Sequence, residues 1–322
     1  MFRQKLIILF TGSLLLLWVL GYIADRIYIS KWKQFSFCKI DACLKDTTKY
    51  DILFLGDSRV QQGINPYEVD QTSGLRSFNL GYPGGDARLM HLFATQYIRN
   101  HPAPQFVFIN VDEYAVIPSE VYKETYFLLF YLSNDSVNRI MKDNGYNTTL
   151  VKSLPFTKYC YFNEYNRMSI IAPGLNKTDN LFDTFSYKGF TPLNPAMKKA
   201  ISVNPTEGFY EGWEKFRSND TSIHYLENMI LALSAANTKV ILYYPPTTDS
   251  LNAFDRLRKS VAIQTGMDLS KKYGVPYIEF HRVPGYPDSL FYDRYHLNKS
   301  GAAVFSAELG RIIAEMKKGS WN

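Results

Sequence analysis

Residues 6–23, LIILFTGSLLLLWVLGYI, run without a single charge. That is about the length a helix needs to cross a hydrocarbon core of about 30 Å, and no polar face interrupts it as on a surface helix. Arg3 and Lys5 precede the run, as in a signal sequence or signal anchor. A cleaved leader would end in a small-x-small site. The exit here reads Gly21-Tyr22-Ile23-Ala24-Asp25, which predicts an uncleaved anchor over residues 1–24. Arg26, Lys31 and Lys33 lie beyond the run and blunt the charge asymmetry that would orient it. Cys38 and Cys43 follow in FCKIDACLKD, close enough to close a small disulfide loop outside the cytosol, with two unpaired buried thiols as the alternative. Cys160 is expected as a lone buried thiol.

Residues 25–50 mix charge with aromatic groups and read as a stalk. At 51 the character changes. Asp51-Ile-Leu-Phe-Leu55, Ser77-Phe-Asn-Leu80, Phe106-Val-Phe-Ile109, Lys239-Val-Ile-Leu-Tyr-Tyr244 and Pro276-Tyr-Ile-Glu-Phe280 are short apolar runs with the look of buried strands. Helices are predicted between them. One is capped by Asp86, with Leu89, Phe93 and Tyr97 at helical spacing, and another covers about 250–272. A last helix starts near Lys299, with Phe305, Leu309, Ile312 and Met316 on one face. Strands alternating with amphipathic helices indicate an α/β fold on a parallel sheet, here over residues 51–322. Residues about 115–222 break the rhythm with Tyr, Phe, Asn and Pro and are expected as an insertion capping the sheet. Its strongest apolar run, Tyr126–Leu132, is too short to span a bilayer. The chain carries 24 Tyr and 22 Phe, a share suited to stacking on sugar rings or to a membrane interface, or simply to core. A net charge of +6 without a Lys/Arg run or a nucleic-acid motif favours an anionic envelope surface over DNA or RNA.

Acyl transfer needs a nucleophile at a sharp turn, a base, a group orienting that base, and donors for the oxyanion. Ser58 sits in Leu55-Gly56-Asp57-Ser58-Arg59, directly after the first strand, where parallel sheets place their sites. In Tyr292-Asp293-Arg294-Tyr295-His296-Leu297-Asn298, just before the last helix, His296 would be the base and Asp293 its orienting carboxylate. Each tripeptide-scale signal is common by chance, and the bland readings are a turn with a capping serine and a surface histidine. It is their placement and order that give them weight. Arg59 would meet an anionic substrate or form a plain salt bridge. His281 is a reserve base, while His91 and His224 read as structural or surface residues. The lipase-type G-x-S-x-G elbow, a phosphate loop, and a His-Glu-x-x-His or other metal-ligand cluster are missing from the sequence, so neither metal nor cofactor is expected.

These blocks resemble the SGNH (GDSL-like) hydrolases and acyltransferases, in particular the membrane-anchored envelope branch that includes DltD-like and alginate-acetylation proteins. Leu55-Gly56-Asp57-Ser58 is similar to the family's first block, Asn79-Leu80-Gly81 to its second and Asp293-Arg-Tyr-His296 to its last. The resemblance implies a three-layer α/β/α, flavodoxin-like domain and a Ser58–His296–Asp293 triad. It also implies backbone oxyanion donors at Ser58 and Gly81. The third block departs from the family's Gly-x-Asn-Asp: Asn110-Val111-Asp112-Glu113 puts Asp112, which when ionised can only accept, where the family has a donor. Asn110 substitutes if the loop is shifted. The implied activity is an extracytoplasmic, membrane-tethered esterase or O-acyltransferase acting on acyl, usually acetyl, esters of an envelope glycan, with a membrane-bound O-acyltransferase as a possible partner. The rival expectation is a non-catalytic glycan-binding or assembly subunit.

Overall fold

The computed structural model describes residues 2–116, 125–171, 186–193, 220–248, 251, 253–280 and 286–320. They divide into two compact units, one comprising 1–37 with 120–179 and the other 38–119 with 180–322.

In the second unit, β1 (Ile52–Leu55), β2 (Ser77–Asn79), β3 (Phe106–Asn110), β4 (Lys239–Tyr244) and β5 (Tyr277–Glu279) form a parallel sheet in the order β2-β1-β3-β4-β5. This is the flavodoxin-like order. The central strands β1, β3 and β4 read as nearly unbroken apolar runs because both faces are covered. On one face Ile52, Phe54, Phe106, Phe108, Ile241 and Tyr243 meet α4 (Pro66–Ser73) and α12 (Lys299–Lys318) through Val69, Phe305, Leu309 and Ile313. Ile313 is buried there and Ile312 half-buried, one position from the expected stripe. Another layer contains α2 (Cys38–Leu44), α5 (Ala87–Asn100) and α10 (Asp220–Ala235), with α5 packed on both of the others. The Asp86 carboxylate caps α5 by accepting from Arg88 N and Leu89 N, and Leu89, Phe93 and Tyr97 are buried as the spacing predicts. The remaining crossover, α11 (Ala253–Tyr273), packs on β4 and β5.

The expected insertion does not behave as one body. Residues 186–193 belong to the sheet unit, where Lys188 O accepts from Asn79 N at 3.0 Å and Gln61 O accepts from Thr191 N at 3.1 Å. This segment covers the β2 edge, an edge that would otherwise offer unpaired backbone groups. Lys39, fully buried, donates to Asn79 O and Gly189 O (3.2 and 2.7 Å) and ties segment and strand together, burial drawing its ammonium down to about 8.

In the first unit, α1 (Phe2–Trp32) is exposed along nearly all of residues 2–20 and buried at Gly21 and Tyr28. It is the helix long and apolar enough to cross a membrane among the described residues. Tyr28 stacks on Phe130 (5.6 Å), lies 4.8 Å from Phe162 and 6.0 Å from Phe37, and donates to Asn166 Oδ1 at 2.9 Å. Part of the chain's aromatic excess is therefore the core of this unit, which also holds α7 (Asp135–Asp143), α8 (Thr148–Ser153) and α9 (Glu164–Ile171).

Two expectations need correction. The stretch read as a stalk is helical: α1 runs on to Trp32, a π-turn follows over Lys33–Phe37, and α2 packs into the sheet unit with Ile40, Ala42 and Cys43 buried. Cys38 and Cys43 lie on that one helix with no disulfide between them. Five residues along a helix leave their Cα atoms about 8–9 Å apart, beyond the roughly 7 Å a disulfide tolerates. Burial raises both thiols above the ordinary range, whereas Cys160 is exposed rather than buried. Titration with a thiol-specific disulfide reagent should therefore modify Cys160 quickly in the folded chain, and all three cysteines in denaturant without reductant. A single reactive thiol in denaturant would establish the Cys38–Cys43 bridge instead.

Candidate active site

The sheet order reverses at β1, so the loops after β1 and β3 diverge and leave a crevice at their carboxyl ends. Ser58 is placed there by a tight exit from β1. Gly56 has no room for a side chain: a Cβ would fall 2.2 Å from Val60 Cγ2 and 2.7 Å from Asn110 Cβ. Asp57 then caps α3 (Ser58–Gly63), its Oδ1 accepting from Arg59 N at 2.9 Å, and Ser58 is the first helical residue.

Ser58 Oγ lies 2.9 Å from His296 Nε2. His296 Nδ1 lies 2.9 Å from each carboxylate oxygen of Asp293. With Nδ1–H donating to the carboxylate, Nε2 is left bare to accept the serine proton. Asp293 is itself anchored, accepting from Tyr295 N (2.9 Å) and His296 N (2.8 Å). The loop closes on itself through Tyr292 N to His296 O, and Asn298 ends it by capping α12. Burial would raise the Asp293 carboxyl, but its hydrogen bonds and the His296 charge outweigh that and hold it down to about 2. A carboxylate depressed from 3.8 contributes stability that is present above about pH 4 and lost as pH falls towards 2. The nucleophile, base and orienting acid read from the sequence thus come together.

The expected oxyanion groups, apart from Ser58, do not. Gly81 N–H donates to Asn79 Oδ1 at 2.9 Å, while Asn79 Nδ2 donates to Val60 O and Ile64 O, both at 2.7 Å. The Gly81 amide is therefore spent on a clamp that holds α3 to the end of β2. Asn110, fully buried, donates through Nδ2 to Asp112 Oδ2 (2.7 Å) and to Asp57 Oδ1 (3.3 Å). Asp112 accepts from Tyr114 N and Ala115 N, capping α6 (Glu113–Val116). Of the four candidates, Ser58 N–H at the start of α3 is the donor not drawn into these contacts.

Arg59 is likewise no substrate group. Its side chain is 4% exposed; Nη1 lies 3.2 Å from Glu113 and 3.7 Å from Asp112. Nη2 donates to Pro245 O and Pro246 O, and the guanidinium lies over the Tyr244 ring at 4.8 Å. Tyr244 O–H donates to Glu113 Oε1 at 2.7 Å. One buried cation thus faces three buried carboxyl groups, Asp57, Asp112 and Glu113. Burial, and then the neighbouring Asp112 charge, lift Asp57 well above the carboxylate range against the pull of Arg59. Glu113 is raised mainly by burial. Sequence reasoning missed the Asn79 clamp and the Glu113–Tyr244 pair, although all three acids of Asp57-Ser58-Arg59 and Asp112-Glu113 were in view.

His91 is half-buried 5.4 Å from the Tyr225 ring, and His224 bonds Asn228, in keeping with structural and surface readings. His281 lies outside the described residues. Among the described residues no cluster of three or more His, Cys, Asp or Glu could hold a metal ion.

No family model matches the chain, and no curated protein does. Among solved structures it is similar to an acetylxylan esterase from Geobacillus stearothermophilus (14% identity, 84% of this chain and 96% of that one, TM-score 0.41). It is also similar to a lipase/acylhydrolase from Enterococcus faecalis (13%, 83% and 97%, TM-score 0.40) and to a GDSL-like lipase from Bacteroides thetaiotaomicron (11%, 91% and 99%, TM-score 0.39). Scores and identities this low carry no inference for this chain.

Because burial and the Asp112 charge disfavour the Asp57 carboxylate, Asp57→Asn should cost little stability at pH 5, about 1 kcal/mol or less. A carboxyl raised in the folded state stabilises fully below its unfolded value and loses that contribution as pH rises through the folded value. Asp57→Asn should therefore gain on wild type between pH 5 and pH 9, read from urea midpoints. Arg59→Ala, which strands buried charge, should cost roughly 3–5 kcal/mol. An Asp57→Asn chain that loses ground as pH rises would contradict the charge count.

Proposed function

We propose that the chain is a membrane-tethered serine esterase or O-acyltransferase that handles acyl, chiefly acetyl, esters of a cell-envelope polysaccharide. The Ser58–His296–Asp293 chain of hydrogen bonds carries this reading, each link 2.9 Å. Ser58 Oγ attacks the ester carbonyl while His296 Nε2 takes its proton, with Asp293 holding the imidazole and offsetting its charge. The tetrahedral oxyanion collapses, the C–O bond of the ester breaks, and His296 returns the proton to the departing alkoxide. Water, or a glycan hydroxyl, then attacks the acyl-serine by the same steps and leaves Ser58 free. A membrane-bound O-acyltransferase is the proposed source of acyl groups when the acceptor is a hydroxyl.

Ser58 N–H is the proposed oxyanion donor. A missing donor typically costs about a hundredfold or more in rate, so slow turnover follows from Gly81 and Asn110 being engaged elsewhere. With Cys38 and Cys43 unbridged, the extracytoplasmic placement rests on Arg3 and Lys5 ahead of the span and on the family resemblance. The second reading, a non-catalytic glycan-binding subunit, is favoured by those same two occupied donors.

Hydrolysis of 4-nitrophenyl acetate by the full-length chain in detergent separates the two readings. Ser58→Ala and His296→Ala should each lose roughly a thousandfold or more of the enzymatic rate, with Asp293→Asn comparably impaired. A Ser58→Ala rate equal to wild type, or no hydrolysis by a folded wild-type chain, would favour the binding subunit.

A further inference from the structure

Residues 2–20 of α1 form an exposed rod about 28 Å long at 1.5 Å per residue, close to the hydrocarbon thickness of a bilayer. The rod ends in Trp18, Tyr22 and Arg26, the last bonded to the Tyr22 hydroxyl at 2.7 and 2.9 Å. Exposed aromatics with a nearby base are the side chains that settle at the headgroup layer. Protein contact begins at Gly21, where a Cβ would stand 3.3 Å from Phe156 Cβ. The level of the headgroups along α1 is therefore also the level of Phe156.

From there the partner segment climbs α1 in order. Lys158 pairs with Asp25 (2.8 Å), and Tyr159 bonds the same carboxylate. Phe162 and Asn166 meet Tyr28. Going backwards, α8 folds against this segment with its start by Tyr161, which accepts from Asn147 N and lies 4.9 Å from Tyr146. Its end, Lys152 and Ser153, leads into Leu154 and Phe156. Among the described residues of this unit, the corner between α8 and residue 156 thus lies beside the end of the apolar rod. It carries exposed Leu150 (42%), exposed Lys152, and half-buried Leu154 and Phe156.

We infer that this corner, residues 150–156, is a second membrane contact that rests on the lipid surface beside the anchor helix. Leu150, Leu154 and Phe156 enter the headgroup boundary and Lys152 meets lipid phosphates. The inference rests on the reading of α1 as a membrane span. Such a two-point footing would fix how the unit stands on the membrane, where a single helix leaves it free to turn about the helix axis.

Site-specific fluorescence on the full-length chain tests it. In a Cys160→Ser background, an environment-sensitive probe is attached to Leu15→Cys, Leu154→Cys or Arg167→Cys. Each chain is placed in vesicles of phosphatidylcholine with phosphatidylglycerol as the minor component, with and without brominated acyl chains. Arg167, exposed and next to Asn166, lies about 10 Å farther along α1 than Gly21. The proposal predicts strong quenching at Leu15→Cys, clear quenching with a blue shift at Leu154→Cys, and neither at Arg167→Cys. Quenching at Leu15→Cys with a Leu154→Cys signal matching Arg167→Cys would overturn the second contact and leave the anchor standing. A Leu15→Cys probe that is not quenched would overturn the anchor itself, and the second contact with it.

Discussion

The Ser58 Oγ to His296 Nε2 hydrogen bond joins residues 238 apart in the chain, and it exists because two turns are held independently. One is the exit from β1. Gly56 lets the strand end press against Val60 and Asn110, Asp57 caps α3, and Asn79 clamps that short helix through the carbonyls of Val60 and of Ile64 just past its end. The other is the 290–298 loop, closed by its own backbone and by Asp293 accepting from two successive amides. A six-residue helix has little stability of its own. The position of the nucleophile is therefore a property of the buried polar groups behind it, not of local helix propensity.

Those groups explain why the site departs from the pattern suggested by resemblance. Placing Arg59 after the serine brings a cation into the interior, and Asp112, Glu113 and Tyr244 gather around it. Asn110 is drawn in to bridge Asp57 and Asp112. An amide that satisfies two carboxyl groups has no hydrogen left for an oxyanion. Rigidity behind the nucleophile and poverty of donors in front of it thus have the same source.

Much of the fold was legible because its signals are local. The central strands are runs buried on both faces and bracketed by polar or glycine residues, the edge strand β5 being only half-buried, and Asp86 announces α5 by standing where a cap must. The triad was legible because Ser58 follows the first strand and His296 precedes the last helix. What was not legible depends on partners far away in sequence. Gly81 looks like a free amide until Asn79 folds back on it, and Arg59 looks exposed until β4 and the prolines after it close over its side chain. Cys38 and Cys43 suggested a loop, because nothing in FCKIDACLKD says that the helix continues through them. The insertion seemed one piece, yet Tyr28 and its aromatic neighbours bind 125–171 to α1, while Lys39 and Asn79 hold 186–193 to the sheet edge.

The central claim is that Ser58 is a nucleophile activated by His296, and covalent trapping tests it most directly. The full-length chain would be treated with a fluorophosphonate, digested and mapped by mass spectrometry, alongside His296→Ala. The account predicts a single adduct on the Ser58 peptide that forms far more slowly in the variant. Labelling elsewhere, or equal labelling with and without His296, would contradict it.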